Sequence, residues 1–298
     1  MAQSLGRFAS CTLMPGTLAA VLGAAIFAMR LGSPPTSVIP PLFVASILWV
    51  AALERVLPHR PEWNRARGDV GVDSAYLATT SAVIGVMRSL VAAVGVWIAS
   101  WIARDFGLSL WPHDWPLLAQ LPLAWALVEL FAYWPHRWLH SVAFLWRLHA
   151  THHSAERLYW LNATRAHPLE HVFRACFGLL PLAVVGAGPE LLVLSVLSDA
   201  VIGLFQHANI ELRLGPLNYV FSAAPVHRWH HSRVRAEADR NFGDSFIFWD
   251  LVFGTYFHPR DREVEAIGIA GLDAFPRGFW SQLASPFRWR EIERTSAR

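Results

Sequence analysis

Histidine is the residue type in this chain with the clearest chemical potential, because it recurs at fixed spacings. Of the 14 histidines, eight form one HxxxH motif and two HxxHH motifs, and a ninth stands alone between the last two: His136 and His140; His149, His152 and His153; His207; His227, His230 and His231. Helical residues spaced i, i+3 and i+4 share one face, so each motif aims its imidazoles at a common point. Imidazole is a ligand for iron, copper and zinc. One metal ion that keeps a coordination position open cannot use nine imidazoles. The sequence therefore predicts two metal ions.

Other metal sites fit this pattern poorly. A structural zinc site closes with four ligands, commonly including cysteine, whereas the chain has only Cys11 and Cys176 and no CxxC motif. The HExxH motif of zinc proteases is absent, as are the Glu and ExxH ligands of soluble di-iron bundles. A single HxxxH motif is usually a packing or surface feature, but three histidine motifs in one chain indicate metal binding.

Apolar segments must position these histidines. Of the 298 residues, 54% are hydrophobic and 16% are charged, whereas soluble domains carry roughly a quarter charged residues. Four stretches approach the roughly 20 residues that cross a bilayer, and we predict an all-α integral membrane bundle of about four transmembrane helices. The first is predicted to be a retained anchor rather than a cleaved signal peptide. Two shorter stretches predict a re-entrant hairpin or interfacial helices. The four long stretches are 13–31, 38–57, 75–102 and 116–134, and the two short ones are 172–187 and 190–206.

The arginines indicate how the bundle is oriented. The segment between the second and third stretches carries Arg55, Arg60, Arg65 and Arg67, and the positive-inside rule puts it in the cytoplasm. The same topology returns the chain to the cytoplasm at about Trp134, just before the histidine motifs begin. All 25 basic residues are arginine and are scattered among Trp and Phe. They form no dense stripe for nucleic acid, and we interpret them as facing lipid headgroups.

A family resemblance is carried by the histidine motifs together with several neighbouring segments. Residues 162–170 read NATRAHPLE, and Asn241-Phe242-Gly243, Trp249-Asp250 and Phe253-Gly254-Thr255 follow the last motif. Over about residues 69–258 the chain resembles the fatty acid hydroxylase and sterol desaturase superfamily. The resemblance implies a membrane-bound non-haem di-iron oxygenase with a cytosolic histidine-rich catalytic cap. It also implies that the eight motif histidines are iron ligands, with His207 as a ninth. Residues 1–68 are then an N-terminal transmembrane anchor region, and residues 259–298 a cytosolic tail that forms a cap or a partly loose terminus.

Several further polar residues have open roles. His167 and His171 are spaced i, i+4 and are either ligands or outer hydrogen-bonding partners, although Pro168 is expected to break the helix that would pair them. Bound histidine usually donates its second N–H to a carboxylate or carbonyl. Residues that can orient ligand imidazoles in this way, or that serve only as caps and turns, are Asp73, Asn162, Asn241 and Asp250. Acidic residues in apolar surroundings are candidates for function or for pairing with Arg88, namely Glu129 and Asp199.

The expected reaction is hydroxylation or desaturation of a lipid by O2, with two irons and external electrons. A fatty acyl, sterol, carotenoid or ether lipid is the expected class of substrate. The sequence contains no GxGxxG, no ferredoxin cysteine run and no His-Pro-Gly-Gly segment, which implies a separate donor: a cytochrome, a ferredoxin or a reduced pterin. The HRWLH, QHANI and NFG segments resemble the branch of the superfamily that cleaves alkylglycerol ethers with a pterin.

Two alternatives remain open at this point. One is a transmembrane haem or metal-binding electron carrier without oxygenase activity. Its ligands should lie deep in the spans and far apart in sequence, whereas these histidines cluster just past the fourth stretch. The other alternative is a metal-binding membrane protein that has lost catalysis.

Overall fold

Helices account for all the long elements of this chain. The computed structural model describes residues 2–297, with side chains from Ser10 onward. Within that range β pairing is limited to isolated bridges such as Pro58 with Ile210, and the predicted all-α class is confirmed. The α-helices, in chain order, are α1 (Ala2–Arg30), α2 (Ile39–Val56), α3 (Val70–Phe106), α4 (Leu117–Ser141), α5 (Ala143–His153), α6 (Pro168–Ala175), α7 (Leu180–Val184), α8 (Pro189–His207), α9 (Ala224–His230), α10 (Arg235–Ala238), α11 (Phe248–Val252), α12 (Phe279–Ala284) and α13 (Trp289–Ser296).

The membrane part contains one long helix more than the expected four. In the described residues, five helical segments are long and apolar enough to cross a bilayer: Ser10–Arg30, Pro35–Val56, Val70–Phe106, Leu117–Ser141 and Pro189–His207. The fifth, α8, is 67% buried inside the protein, against 11–33% for the other four. Helix α8 is therefore the centre of the bundle, and the outer helices face lipid.

The two short apolar stretches form a hairpin beside α3. Its first limb is broken, with α6 ending at Ala175 and α7 beginning at Leu180, and its second limb is α8. The first limb packs so closely on α3 that a Cβ at Gly95 would lie 2.3 Å from Ala183 Cβ. The two stretches therefore pack as a hairpin, and its position in the bilayer, re-entrant or interfacial, stays a prediction.

The histidine region forms a cap at one end of the bundle, and the arginine-rich α2–α3 loop packs against it. The Arg60 guanidinium donates to the Val264 carbonyl at 2.6 Å, and Arg157 makes a two-pronged ion pair with Asp69 at 2.6 and 2.8 Å. The loop and the cap therefore lie on the same face of the bundle, as the sequence predicts.

The C-terminal tail also belongs to this cap. Phe279 of α12 packs edge-on against Tyr76 of α3, with ring centroids 4.9 Å apart. Gln282 and Ser285 are buried behind it. The tail thus packs onto the cap over the described residues up to 297, and its assignment as a cytosolic tail stays a prediction. The domain boundaries at residues 68 and 258 stay predictions, and the terminal residues 1 and 298 that they include lie outside the described range.

Candidate metal centre

Four helices deliver the predicted ligand histidines to one place. The end of α4 supplies the HxxxH motif, α5 supplies the first HxxHH motif, and α9 with the residue after it supplies the second. His207 is the last residue of α8. All nine side chains are buried, so the apolar spans end where a compact polar site begins.

The histidines divide into two groups of four, each within ligand reach of a shared point. The ligand-capable nitrogens of each group lie within 4.8 Å of one another. We call them the first histidine group, His136, His140, His149 and His230, and the second histidine group, His152, His207, His227 and His231.

Fixed acceptors hold the imidazoles of the first histidine group in one orientation. Each ring directs its Nδ1–H at an oxygen: His136 at the Phe242 carbonyl (2.8 Å), His140 at Asp239 (3.1 Å), His149 at Glu170 (2.9 Å) and His230 at the Arg240 carbonyl (2.8 Å). A proton on Nδ1 leaves each neutral ring with a lone pair on Nε2.

The Nε2 atoms of this group give the clearest indication of metal binding. The Nε2 atoms of His136, His140 and His230 are buried without any hydrogen-bond partner. A buried polar atom left unsatisfied costs about 1–3 kcal/mol. Three such lone pairs converging on one point fit a metal ion, which would satisfy all of them together.

In the second histidine group two of the four rings are held in the same way, whereas Nδ1 of His227 and of His231 has no hydrogen-bond partner. His152 Nδ1 donates to the Arg165 carbonyl, and His207 Nδ1 donates to Asn162 Oδ1, both at 2.9 Å. His227 Nε2 lies 3.2 Å from His207 Nε2 and 3.1 Å from His231 Nε2. Imidazole nitrogens bound to one ion at about 2.0–2.1 Å are spaced about 3.0–3.4 Å apart, so these contacts have the spacing of ligands on a shared metal.

His153 lies between the two groups and belongs to neither. Its Nε2 is 3.1 Å from His149 Nε2. Its ring centroid is 4.7 Å from that of His230 and 4.5 Å from that of His231. Its assignment as a ligand stays a prediction, and its position is that of a link between the groups.

Burial keeps these imidazoles in the form that binds metal. Removal from water lowers the pKa of His152 to about 3 and holds the pKa values of His149, His230 and His231 well below the usual range. The rings are therefore neutral at physiological pH, and a metal ion has no proton to displace from them.

Two carboxylates that orient ligands were not singled out from the sequence. Glu170 ends the NATRAHPLE segment, and Asp239 belongs to none of the motifs in the sequence. Glu170 is buried, and burial raises the pKa of its carboxyl group to about 7. The available signal was the His-Pro-x-Glu pattern, which starts α6 and turns Glu170 towards α5.

We expect Glu170→Leu to weaken metal binding at the first histidine group by about 10–100-fold, because His149 would lose the acceptor that fixes its tautomer. Glu170→Gln should retain much of the affinity, since an amide oxygen accepts the same Nδ1–H. Competition with a chelator for Co²⁺ or Fe²⁺ measures both effects. The exposed Glu156 provides a matched control in Glu156→Gln. Equal affinities for the Leu and Gln variants would contradict this role.

The other polar residues with open roles have distinct positions. Asn162 accepts directly from His207. Asp73 and Asp250 act one step further out: Asp73 holds Arg165, whose carbonyl faces His152, and Asp250 accepts the Phe242 N–H. Asn241, with φ of 56°, instead binds the Val226 and Phe257 carbonyls.

His167 and His171 contact neither histidine group through a hydrogen bond. His167 caps α6, since its Nδ1 accepts the Leu169 N–H at 3.1 Å and its Nε2 donates to the Leu283 carbonyl at 3.1 Å. Both of its nitrogens are therefore occupied. His171 Nε2 lies 3.0 Å from the Thr80 hydroxyl. The membrane-embedded Asp199 does pair with Arg88, at 2.9 Å, whereas Glu129 accepts backbone N–H groups.

Comparison with known proteins gives a consistent set of relatives. The profile of the family described as fatty acid hydroxylase matches residues 121–255, which include all nine histidines. The ornithine lipid hydroxylase OlsE of Rhizobium tropici is 32% identical over 280 residues, covering 93% of this chain and 84% of that protein.

Two alkylglycerol monooxygenases are also similar. The Homo sapiens protein is 25% identical over 224 residues, covering 75% of this chain and 48% of that protein. The Xenopus tropicalis protein is 30% identical over 191 residues, covering 61% of this chain and 41% of that protein. The chain thus spans less than half the length of either one. No solved structure matches significantly.

Proposed function

Since the chain belongs to the fatty acid hydroxylase family, we propose that it is a membrane-bound di-iron monooxygenase in which each histidine group holds one iron. The enzyme is an O2-dependent lipid hydroxylase. The nine predicted histidines would hold the ions, and His153 lies between the two histidine groups. The observation that carries this proposal is the set of three buried, unpartnered Nε2 atoms in the first histidine group.

The chain itself prepares the site for the reaction. Bound iron supplies the redox chemistry that O2-dependent hydroxylation of an unactivated C–H bond requires. The imidazoles remain neutral, and Nδ1–H bonds keep six of the nine rings in place: those of His136, His140, His149, His152, His207 and His230. Nine buried histidines enclosed by α4, α5, α8 and α9 exclude bulk water from the site, which protects a reactive oxidant from side reactions.

The proposed substrate is a polar membrane lipid with an amino-acid headgroup. The support is the ornithine lipid hydroxylase that resembles 93% of this chain. The alkylglycerol monooxygenases match shorter parts of the chain, and an ether lipid is therefore the second candidate substrate. We assign the catalytic face to the cytoplasm because the arginine-rich α2–α3 loop packs on the cap. Electrons come from a separate cytochrome, ferredoxin or reduced pterin.

Lipid profiling of a host that produces the chain tests this function. Cells with the wild-type protein are expected to accumulate a lipid heavier by one oxygen atom, or lighter by two hydrogen atoms if the reaction is a desaturation. Cells with His152→Ala should show neither. Unchanged lipids with iron-loaded protein, O2 and each class of donor supplied would contradict the proposal. A haem absorption band would instead indicate an electron carrier.

A further inference from the structure

Two ion pairs extend from the edge of the histidine groups into the helical bundle. Arg88 of α3 pairs with Asp199 of α8 at 2.9 Å, and Arg174 of α6 pairs with Asp244. Asp199 also interacts electrostatically with Arg174 and Asp244, so the two ion pairs form one cluster. Ionisable residues at membrane depth are expensive and usually functional.

The Arg88–Asp199 pair is only partly covered by the protein. The side chains are 33% and 47% accessible, respectively. Arg88 lies on the face of α3 that carries the buried Thr80 and Val91, whereas Val86 and Leu90, at 60% and 56% exposed, face outward. The pair is therefore on the packed side of α3 and still accessible to a ligand.

One face of α8 connects this cluster to the second histidine group. Asp199, Gly203 and His207 are spaced i, i+4 and i+8, which puts them on one side of the helix. The eight residue steps from Asp199 to His207 span about 12 Å. A Cβ added at Gly203 would meet only Gln206 Oε1, at 3.9 Å. The middle of this face is thus open, and it leads from the charges to the metal ligands.

Two buried hydroxyl groups near the ion pairs lack partners. Ser195 lies one turn before Asp199 on the same face of α8, is 5% exposed, and its Oγ has no hydrogen-bond partner. Ser245, next to Asp244, is 3% exposed, and its Oγ is also unpartnered. Both hydroxyls are available to a polar ligand.

The charges of the cluster indicate which ligand fits. The two ion pairs present two guanidinium groups, of Arg88 and Arg174, and two carboxylates, of Asp199 and Asp244. Glu129 accepts the Asp244 N–H at 3.0 Å and holds this part of the loop in place. A zwitterion matches both signs of charge, because its ammonium group can bind the carboxylates and its carboxylate can bind the arginines.

We infer that this cluster and the open face of α8 form the headgroup site of a zwitterionic lipid that carries both a free amine and a free carboxylate. Asp199 and Asp244 bind the ammonium group, and Arg88 and Arg174 bind the carboxylate. The headgroup then lies within about 12 Å of His207. This inference rests on the proposed lipid hydroxylation and specifies its substrate class.

Binding of chemically matched lipids tests the site independently of turnover. Iron-loaded wild-type protein in phosphatidylcholine nanodiscs is titrated with ornithine lipid, its N-acetylated form, its methyl ester, and diacylglycerol, and native mass spectrometry gives the dissociation constants. Ornithine lipid is expected to bind on the order of tenfold or more tighter than each of the others, because each derivative loses a charged contact. Equal affinities for all four lipids would overturn the inference, and this comparison needs no variant.

Two substitutions assign the contacts. Asp199→Asn should abolish the preference for the free amine and keep the preference for the free carboxylate, and Arg88→Gln should do the reverse. Asp273→Asn, which breaks the exposed Arg233–Asp273 pair, is the matched control and should change neither. If the ion pair has only a structural role, both variants should weaken the binding of all four lipids equally or should lose iron.

The two proposals fail in different ways. Charge-selective binding without any oxidised product would leave the headgroup site intact and remove the proposed function. If an oxidised product forms but binding does not depend on headgroup charge, the proposed function stands and the headgroup site is wrong.

Discussion

Replacing His230 with alanine is expected to reduce bound iron from about two ions per chain to about one and to abolish lipid oxidation. His230 Nε2 is buried without a partner in the first histidine group. The two histidine groups share no residue, so the second should keep its ion. Loss of an outer partner alone costs about 10–100-fold in affinity or activity, so loss of a ligand should cost at least a hundredfold. Metal analysis of purified protein and product quantification measure the two effects.

Two further variants complete this test. His207→Ala should remove the other ion and likewise abolish activity. His258→Ala, at a histidine outside the motifs, should leave both ions and the activity unchanged. Retention of full iron content by His230→Ala would contradict the assignment of the first histidine group.

Gly243→Ala is expected to disrupt the first histidine group without changing any ligand. A Cβ at Gly243 would lie 2.3 Å from the Phe246 carbonyl oxygen and 3.0 Å from Asp250 Oδ2. The loop would have to move, and the adjacent Phe242 carbonyl, which orients His136, would move with it. We expect a loss of about 3 kcal/mol in stability together with a loss of iron, measured by thermal unfolding in detergent and by metal analysis.

Gly85→Ala is the matched control, because nothing lies within 4 Å of a Cβ there. It should be neutral or slightly stabilising, since alanine favours a helix over glycine by about 1 kcal/mol. Wild-type stability and iron content in Gly243→Ala would show that the loop does not hold His136 in place.

The spacing of the histidines predicted much of the site because helical periodicity alone determines which side chains share a face. His149 and His153, four residues apart on α5, do have adjoining rings. The Phe242 and Arg240 carbonyls could not be identified this way, since every residue carries a carbonyl and only the fold selects one. Asp239 was missed for a related reason: it lies 99 residues from His140, and no local pattern connects the two.

The helical bundle was predictable from hydropathy, but its centre was not. The mean hydropathy of α8, 1.5, falls within the 1.4–2.0 range of the outer spans, so hydropathy does not mark it as central and only packing makes it so. The broken limb beside it depends on the approach of Ala183 to Gly95, a contact between residues 88 positions apart. The C-terminal cap likewise depends on Phe279 meeting Tyr76, and the charge content of the tail gives no sign of that contact.

The all-imidazole composition of the two histidine groups has a consequence for metal supply. Nitrogen ligands bind copper and zinc more tightly than ferrous iron, following the Irving–Williams order, and neutral rings offer no negative charge to favour one ion. The site therefore has little means of rejecting zinc. Correct loading then depends on which metal the cell makes available while the chain folds, and protein from zinc-rich medium should be well folded, fully metallated and inactive.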